Sequence, residues 1–331
     1  MGQPVQGTRL SDLFFALLRA GMYGRAPKDF PTLAGKQWGA LLDLARKQTV
    51  TGLLYQGISQ LPKGFPLPQG FLFLLVAEID RIEKQGRKVQ ETAQVLTASF
   101  EEHGLHPLVM KGPAVAAFYP QPLLRESGDI DLYFPPEEFD QAAALMAPVT
   151  HAPDGSVHYK RDGIDIDQHR RYFDIHSRKL PPVPSPEATL LMLSAHILKH
   201  CMGPGIGLRQ LCDLAMAYKA LAPDPEHLRR CFRDAGLERW NKLLFSFLHT
   251  FLGAEPLYED LPSPEPLLDI ILEGGNFGHH SEEREASLYK SPFRRKLGTV
   301  RLFLRRIPFS LHYAPKELVP MLGELLRGNL Q

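Results

Sequence analysis

Asp129 and Asp131 stand two apart in Arg125-Glu-Ser-Gly-Asp-Ile-Asp-Leu-Tyr-Phe134. On a strand, alternate side chains share a face, so both carboxylates would point one way while Ile130, Leu132 and Phe134 pack the other. Two acids held together repel each other and need a cation, a set of donors or open solvent. A second pair, Asp165 and Asp167, lies in Ile164-Asp-Ile-Asp-Gln-His169 with the same alternation, so a neighbouring strand can present a third carboxylate. Three carboxylates from two strands suffice to hold divalent metal. Magnesium takes one or two carboxylates together with substrate phosphate oxygens, and two ions about 3.5–4 Å apart can activate an attacking hydroxyl and stabilise a leaving pyrophosphate.

Cations and a glycine turn lie close by in the sequence. His106-Pro-Leu-Val-Met110 reads as a short buried strand ending in Lys111-Gly112-Pro113, with a helix over 114–119 to follow. Gly112 lets backbone approach a phosphate, and the amino end of that helix would supply N–H donors. Lys111, as a mobile point charge, and Arg125, as a bidentate fork, could neutralise a triphosphate. His169 would share the face of Asp167 and could orient acceptor or phosphate, with a plain exposed histidine as the equal alternative. His196 and His200, like Arg209 and Asp213, stand four apart on predicted helices. They read first as a network locking two helices together, with Arg209 the member best suited to reach a nucleotide across a cleft.

The elements that must position these residues follow from periodicity. From Arg9 to about Gly104 the pattern is helical, with breaks at 27–31 and 62–68 and a long helix over 69–102 whose apolar side carries Phe73, Leu74, Val76, Ala77, Ile79, Ile82, Val95 and Leu96. The period then shortens through 104–180, where Asp162-Gly163 marks the tip of a hairpin joining strands at 157–160 and 164–168, and a helix opens at Pro135-Pro136. Beyond a proline-rich break at 181–186, helical periodicity returns at 187–200, 208–221, 226–236 and 239–252. The basic run from Arg294 to Arg306 carries Val300, Phe303, Leu304 and Ile307 at helical spacing and reads as the solvated side of an amphipathic helix. The expected fold is α+β and predominantly helical, a small mixed-sheet core at 104–180 between helical regions at 1–103 and 181–331.

Composition narrows the function classes. Lys plus Arg number 38 against 37 Asp plus Glu in 331 residues, so no global field marks a binder of DNA or membrane surface, and any anion site must be local. The cysteines, Cys201, Cys212 and Cys231, lack zinc-ligand spacing and read as reduced thiols. No apolar run approaches the roughly 20 residues of a membrane span, and the amino terminus lacks the pattern of a secretory leader, so the expectation is a soluble, cytoplasmic protein.

Val109-Met-Lys-Gly-Pro-Ala-Val-Ala-Ala-Phe-Tyr119 followed by Leu124-Arg-Glu-Ser-Gly-Asp-Ile-Asp-Leu132 resembles the signature of a poorly characterised bacterial nucleotidyltransferase family within the DNA polymerase β-like superfamily. Ala195-His-Ile-Leu-Lys-His200, Gly207-Leu-Arg-Gln-Leu-Cys-Asp213 and Arg301-Leu-Phe-Leu-Arg-Arg-Ile-Pro308 resemble its helical carboxyl-terminal pattern. The resemblance implies metal-dependent transfer of a nucleoside monophosphate from an NTP such as ATP to a hydroxyl-bearing acceptor, a protein, small molecule or RNA, with Mg²⁺ or Mn²⁺ as cofactor. It implies that Asp129 and Asp131 are catalytic metal ligands and matches Asp167 to the third acid, with Asp165 the competing candidate. The expected nucleotide contacts are Lys111, Gly112, Arg125, Ser127, His169 and Arg209. Pro113 departs from the wider superfamily, which often has Gly or Ser there, and removes a backbone N–H. The alternative reading is an inactive nucleotide-binding or helical interaction protein on the same fold.

Overall fold

The computed structural model describes residues 9–152, 154–177, 179–203, 205–274 and 304–327. Three helices, α1 (Leu10–Tyr23), α2 (Gly35–Gln48) and α3 (Thr51–Ser59), precede the long α4 (Gln69–Glu102). Strand β1 (Leu108–Val109), helix α5 (Pro113–Ala116), β2 (Asp129–Tyr133), α6 (Pro136–Leu145), β3 (Thr150–His151), β4 (Val157–Arg161) and β5 (Ile164–His169) follow. Helices α7 (Pro186–Met202), α8 (Leu208–Leu221), α9 (Pro225–Asp234), α10 (Glu238–Leu252), α11 (Glu265–Gly274), α12 (304–313) and α13 (Pro315–Arg327) complete the described chain. The fold is α+β and predominantly helical, as the periodicity predicts. No helix among the described residues is long and apolar enough to cross a membrane.

The sheet has five strands in the order β1-β2-β5-β4-β3. Only β2 and β5 run parallel, and their register sets Asp129 beside Asp165 and Asp131 beside Asp167. The β4–β5 hairpin closes on Asp162 and Gly163, both at positive φ (52° and 75°), the conformation of a type I′ turn and the reason Asp-Gly suits that tip. That two-residue turn fixes the register His158 to Asp167.

One face of the sheet is apolar, the other polar. Ile130, Leu132, Val157, Ile164 and Ile166 pack with Phe139 of α6 and with Val89, Leu96 and Phe100 from the second half of α4. The first half of α4, through Phe71, Leu75, Ile79 and Ile82, joins a separate core shared by α1–α3 and α7–α11. Helix α4 is therefore the beam that carries the sheet against the helical body. Phe73, Leu74, Val76 and Val95, expected on its apolar side, are instead exposed, Phe73 by 68 %. The buried line steps by three or four residues from Phe71 to Ile82 and is narrower than the apolar stretch it crosses.

Helix starts follow their capping chemistry. Ser185 accepts from the Ala188 N–H and Asp224 from the His227 N–H, each just ahead of a proline at the first helical position. Helix α5 is shorter than the expected 114–119, because after Ala116 the chain tightens into turns, Phe118 N–H to Val115 O and Tyr119 N–H to Ala116 O. Of the basic run 294–306, residues 294–303 lie outside the described chain. Within the described part Arg305 is exposed and Ile307 packs against the helical core, as expected, while Arg306 is buried and donates to the Cys201 carbonyl (2.8 Å) and Leu304 is exposed.

Candidate metal and nucleotide site

The polar face of β2 and β5 forms the floor of a cavity of about 590 Å³ bordered by α7, α8, the Lys111-Gly112 turn and the β3–β4 connection. Asp129, Asp131, Asp167, Lys111, Gly112, Arg125, His169 and Arg209, all expected site residues, line it. Ser127 is not among the lining residues; its hydroxyl accepts from Arg125 Nη1 at 2.8 Å. Asp165 falls outside the cavity as well, 60 % exposed and paired with Lys160 at 2.6 Å.

Asp131 is the most heavily engaged acid. Its Oδ1 receives Lys111 Nζ at 2.7 Å and lies 2.9 Å from His169 Nε2. Burial penalises the charge, but Lys111 and His169 outweigh it and hold this carboxyl far below the usual carboxylate range. Lys111 answers in kind: burial alone would lower it, yet Asp131, Asp174 and Asp129 together raise it, so the ammonium stays charged. Burial raises the Asp167 carboxyl, with the charge of Asp131 adding to that against the pull of a close contact with His158 Nδ1. One donor atom from each of Asp131, Asp167 and His169 falls within 4.8 Å of the others, a spread compatible with ligands about 2–2.5 Å from a shared cation. The lysine ammonium on Asp131 already shows that this corner accepts positive charge.

Gly112 has a positive φ of 52°, and a Cβ there would stand 3.0 Å from the Asp129 carbonyl oxygen. The glycine is needed for close approach of the turn to β2 as well as for any phosphate. Gly112→Ala is expected to lower stability by about 1–3 kcal/mol, readable as a lower urea midpoint.

Arg125, an expected phosphate contact, lines the cavity with its guanidinium already held by protein groups. Its Nη2 and Nε bind the two oxygens of Asp213 on α8 (2.6 and 3.1 Å), and Nη1 donates to Ser127 Oγ and to the Glu126 carbonyl. Tyr119 also donates to Asp213, at 2.7 Å. Arg209, one turn before Asp213, donates to the Glu126 carbonyl at 3.0 Å. Glu126 in turn accepts from the Thr51 N–H at the start of α3, where a Gly52 side chain would collide with the Leu124 carbonyl. The loop that leads into Asp129 is thus clamped between α3 and α8.

Several cavity groups were not singled out from the sequence as site residues. Asp154 accepts from Ser156, Ser156 Oγ lies 3.0 Å from His158 Nε2, and His158 meets Asp167, so a hydrogen-bonded line leading from the β3–β4 connection into β4 ends at Asp167. Asp174, beyond β5, faces Lys199 Nζ at 3.5 Å and His196 Nδ1 at 3.9 Å. Burial opposes its charge, but His196, Lys199 and Lys111 keep it well below the usual range. The His196 and His200 rings meet edge to face, 4.5 Å apart, on the α7 wall of the cavity.

Burial, aided by the charge of Lys111, lowers His196 from 6.5 to about 4 against the opposing pull of Asp174; His200 shifts the same way. A histidine protonated more readily in the unfolded chain stabilises the fold fully above its unfolded pKa, and that stability is lost as pH falls. Wild type should therefore lose stability between pH 6.5 and 4, the window of the His196 shift, with His196→Gln flattening this limb by at most about 3 kcal/mol. Urea midpoints measured across this range check it.

Strand-borne acids, a charged lysine and a glycine turn around one cavity form a set able to handle a metal-bound phosphate ester. A family model described as "Uncharacterised nucleotidyltransferase" matches residues 34–182 and 175–253, well over half of the sequence. The chain belongs to this nucleotidyltransferase family. No curated protein and no solved structure matches it.

Proposed function

We propose that this protein transfers a nucleoside monophosphate from an NTP to the hydroxyl of an acceptor, releasing pyrophosphate, with divalent cation held by Asp129, Asp131 and Asp167. The observation that carries this reading is the in-register pairing of Asp131 with Asp167 on adjacent parallel strands, on the floor of a cavity that also holds Asp129 and Lys111. When bound there, a divalent cation, Mg²⁺ or Mn²⁺, would neutralise phosphate charge and favour the attacking hydroxylate.

The chain's own residues do the rest. Lys111 offers a compact ammonium to the triphosphate, and Gly112 brings backbone close beside it. Pro113 contributes no N–H, which places more of the phosphate binding on Lys111 and on Arg209 across the cavity. Arg125 acts from behind by fixing the loop that aims Asp129. Asp167, held by His158 on the flank nearest the β3–β4 rim, receives the acceptor's proton. Because that rim carries Thr150, Asp154 and Ser156 along one edge of the same cavity, the acceptor hydroxyl approaches from that side.

The test is thermal unfolding with and without NTP and divalent cation. At a ligand concentration of about 100 Kd the stabilisation is about 2.7 kcal/mol, and it should require both NTP and metal. Stabilisation by NTP alone, unaffected by a chelator, would contradict the metal-held reading.

A further inference from the structure

The three donor atoms that converge in this cavity come from Asp131, Asp167 and His169. Asp129 lies one pleat away, in the row of the surface pair Asp165 and Lys160, and Asp165 and Lys160 lie opposite each other in the β4–β5 register. His169 occupies the next pleat on the other side of Asp167, where its Nε2 reaches the same Asp131 oxygen that Lys111 touches. Its backbone is fixed, since the Phe134 N–H donates to the His169 carbonyl at 3.1 Å. A strand position with little freedom thus delivers an imidazole nitrogen into an otherwise carboxylate seat.

An imidazole changes which cation such a seat prefers. Mg²⁺ demands near-ideal octahedral oxygen ligation and keeps several waters, whereas imidazole nitrogen suits first-row transition ions. Mn²⁺ accepts carboxylate, phosphate and nitrogen ligands together. We propose that His169 is an inner ligand of the cation through Nε2, alongside Asp131 and Asp167, and that the seat therefore prefers Mn²⁺ to Mg²⁺. This rests on the metal-dependent reading given above and specifies the ion. His158, which contacts Asp167 from β4 through Nδ1, then holds that carboxylate from outside the metal shell, a positioning role.

Pulsed electron paramagnetic resonance of the full chain with Mn²⁺, alone and with NTP, reads ligation directly, because a bound imidazole nitrogen couples to the manganese electrons. The coupling should be present in wild type, persist in His158→Asn and disappear in both His169→Asn and His169→Gln. Competition titration should show Mn²⁺ binding tighter than Mg²⁺ in wild type, with the preference falling in the His169 variants by at least the roughly 10- to 100-fold that loss of an outer-shell partner costs. His169→Asp, which returns an all-oxygen set, should bind Mg²⁺ at least as tightly as wild type and so shows that the position remains folded. Mn²⁺ bound in an Asp131-dependent way but without nitrogen coupling would overturn this inference and leave the transferase reading standing. Coupling that vanishes in His158→Asn instead would overturn it also. No Mn²⁺ bound, with or without NTP, would overturn this inference, and no Mg²⁺ bound either would overturn both.

Discussion

Asp213→Ala should destabilise the protein by about 3–5 kcal/mol, the usual cost of stripping one partner from a buried ion pair. Arg125 and Asp213 are 6 % and 3 % exposed, so the guanidinium left behind is a largely buried charge without its carboxylate. It would also lose the two contacts at 2.6 and 3.1 Å that aim it, while the Tyr119 hydroxyl loses its acceptor. The damage should spread into the cavity, because the same arginine holds Ser127 and the Glu126 carbonyl just ahead of β2. Arg125→Met combined with Asp213→Leu should recover most of the stability, since replacing both charges removes the desolvation penalty on each side. Denaturant midpoints of the two single variants and the double variant form the cycle that tests this. If Asp213→Ala costs no more than an exposed ion pair, about 0–1 kcal/mol, the clamp does not exist as described.

Asp167→Asn should reduce nucleotidyl transfer by at least about 10²–10³-fold, the scale on which a single group acting at the reacting centre counts, whereas Asp165→Asn should leave it nearly unchanged. The two carboxylates are of one residue type and stand two apart in sequence, so their contrast isolates position. Asp167 faces Asp131 across the parallel pair and is held by His158. Asp165 faces solvent, with Lys160 its ion-pair partner. Asp165→Asn should also cost less than about 1 kcal/mol of stability, as expected for a solvated pair. Equal losses of transfer in the two variants would show that the third acid has been placed on the wrong pleat.

Much of this arrangement is legible in the sequence because local chemistry decides it. The long α4 begins after Pro68 and ends just before Gly104, and the Leu208–Leu221 helix falls where its periodicity places it. The Asp162-Gly163 tip is more informative than it first appears. Counting back from a two-residue turn pairs Arg161 with Ile164 and, three steps on, His158 with Asp167, so the contact of His158 with the third acid could have been read from the hairpin alone. The parallel register of β2 and β5 could not, since α6, β3 and β4 intervene and nothing local sets it. The same holds for Arg125 and Asp213, 88 residues apart: charge and spacing identify Arg125 as a phosphate-type cation, and only tertiary packing shows that a buried carboxylate claims it. Asp174 and Lys199 face the cavity for a similar reason, one from an aperiodic segment and the other from a helix whose polar positions are few. Misreading the outer side of α4 has another cause. Leu72, Phe73 and Leu74 form a continuous apolar run, and continuity hides which angle of the helix faces the core.

Product analysis is the direct readout of metal-dependent nucleotidyl transfer at the aspartate row. The protein would be incubated with Mn²⁺ or Mg²⁺, each NTP labelled at the α-phosphorus, and mixtures of proteins, RNA or small metabolites, with products found by mass. A nucleoside monophosphate added to a hydroxyl-bearing molecule is expected in wild-type reactions, with pyrophosphate released in step, and neither product with Asp129→Asn/Asp131→Asn. Adducts formed equally by the double variant, or neither adduct nor pyrophosphate from the wild type with any acceptor mixture, would contradict transfer at this row.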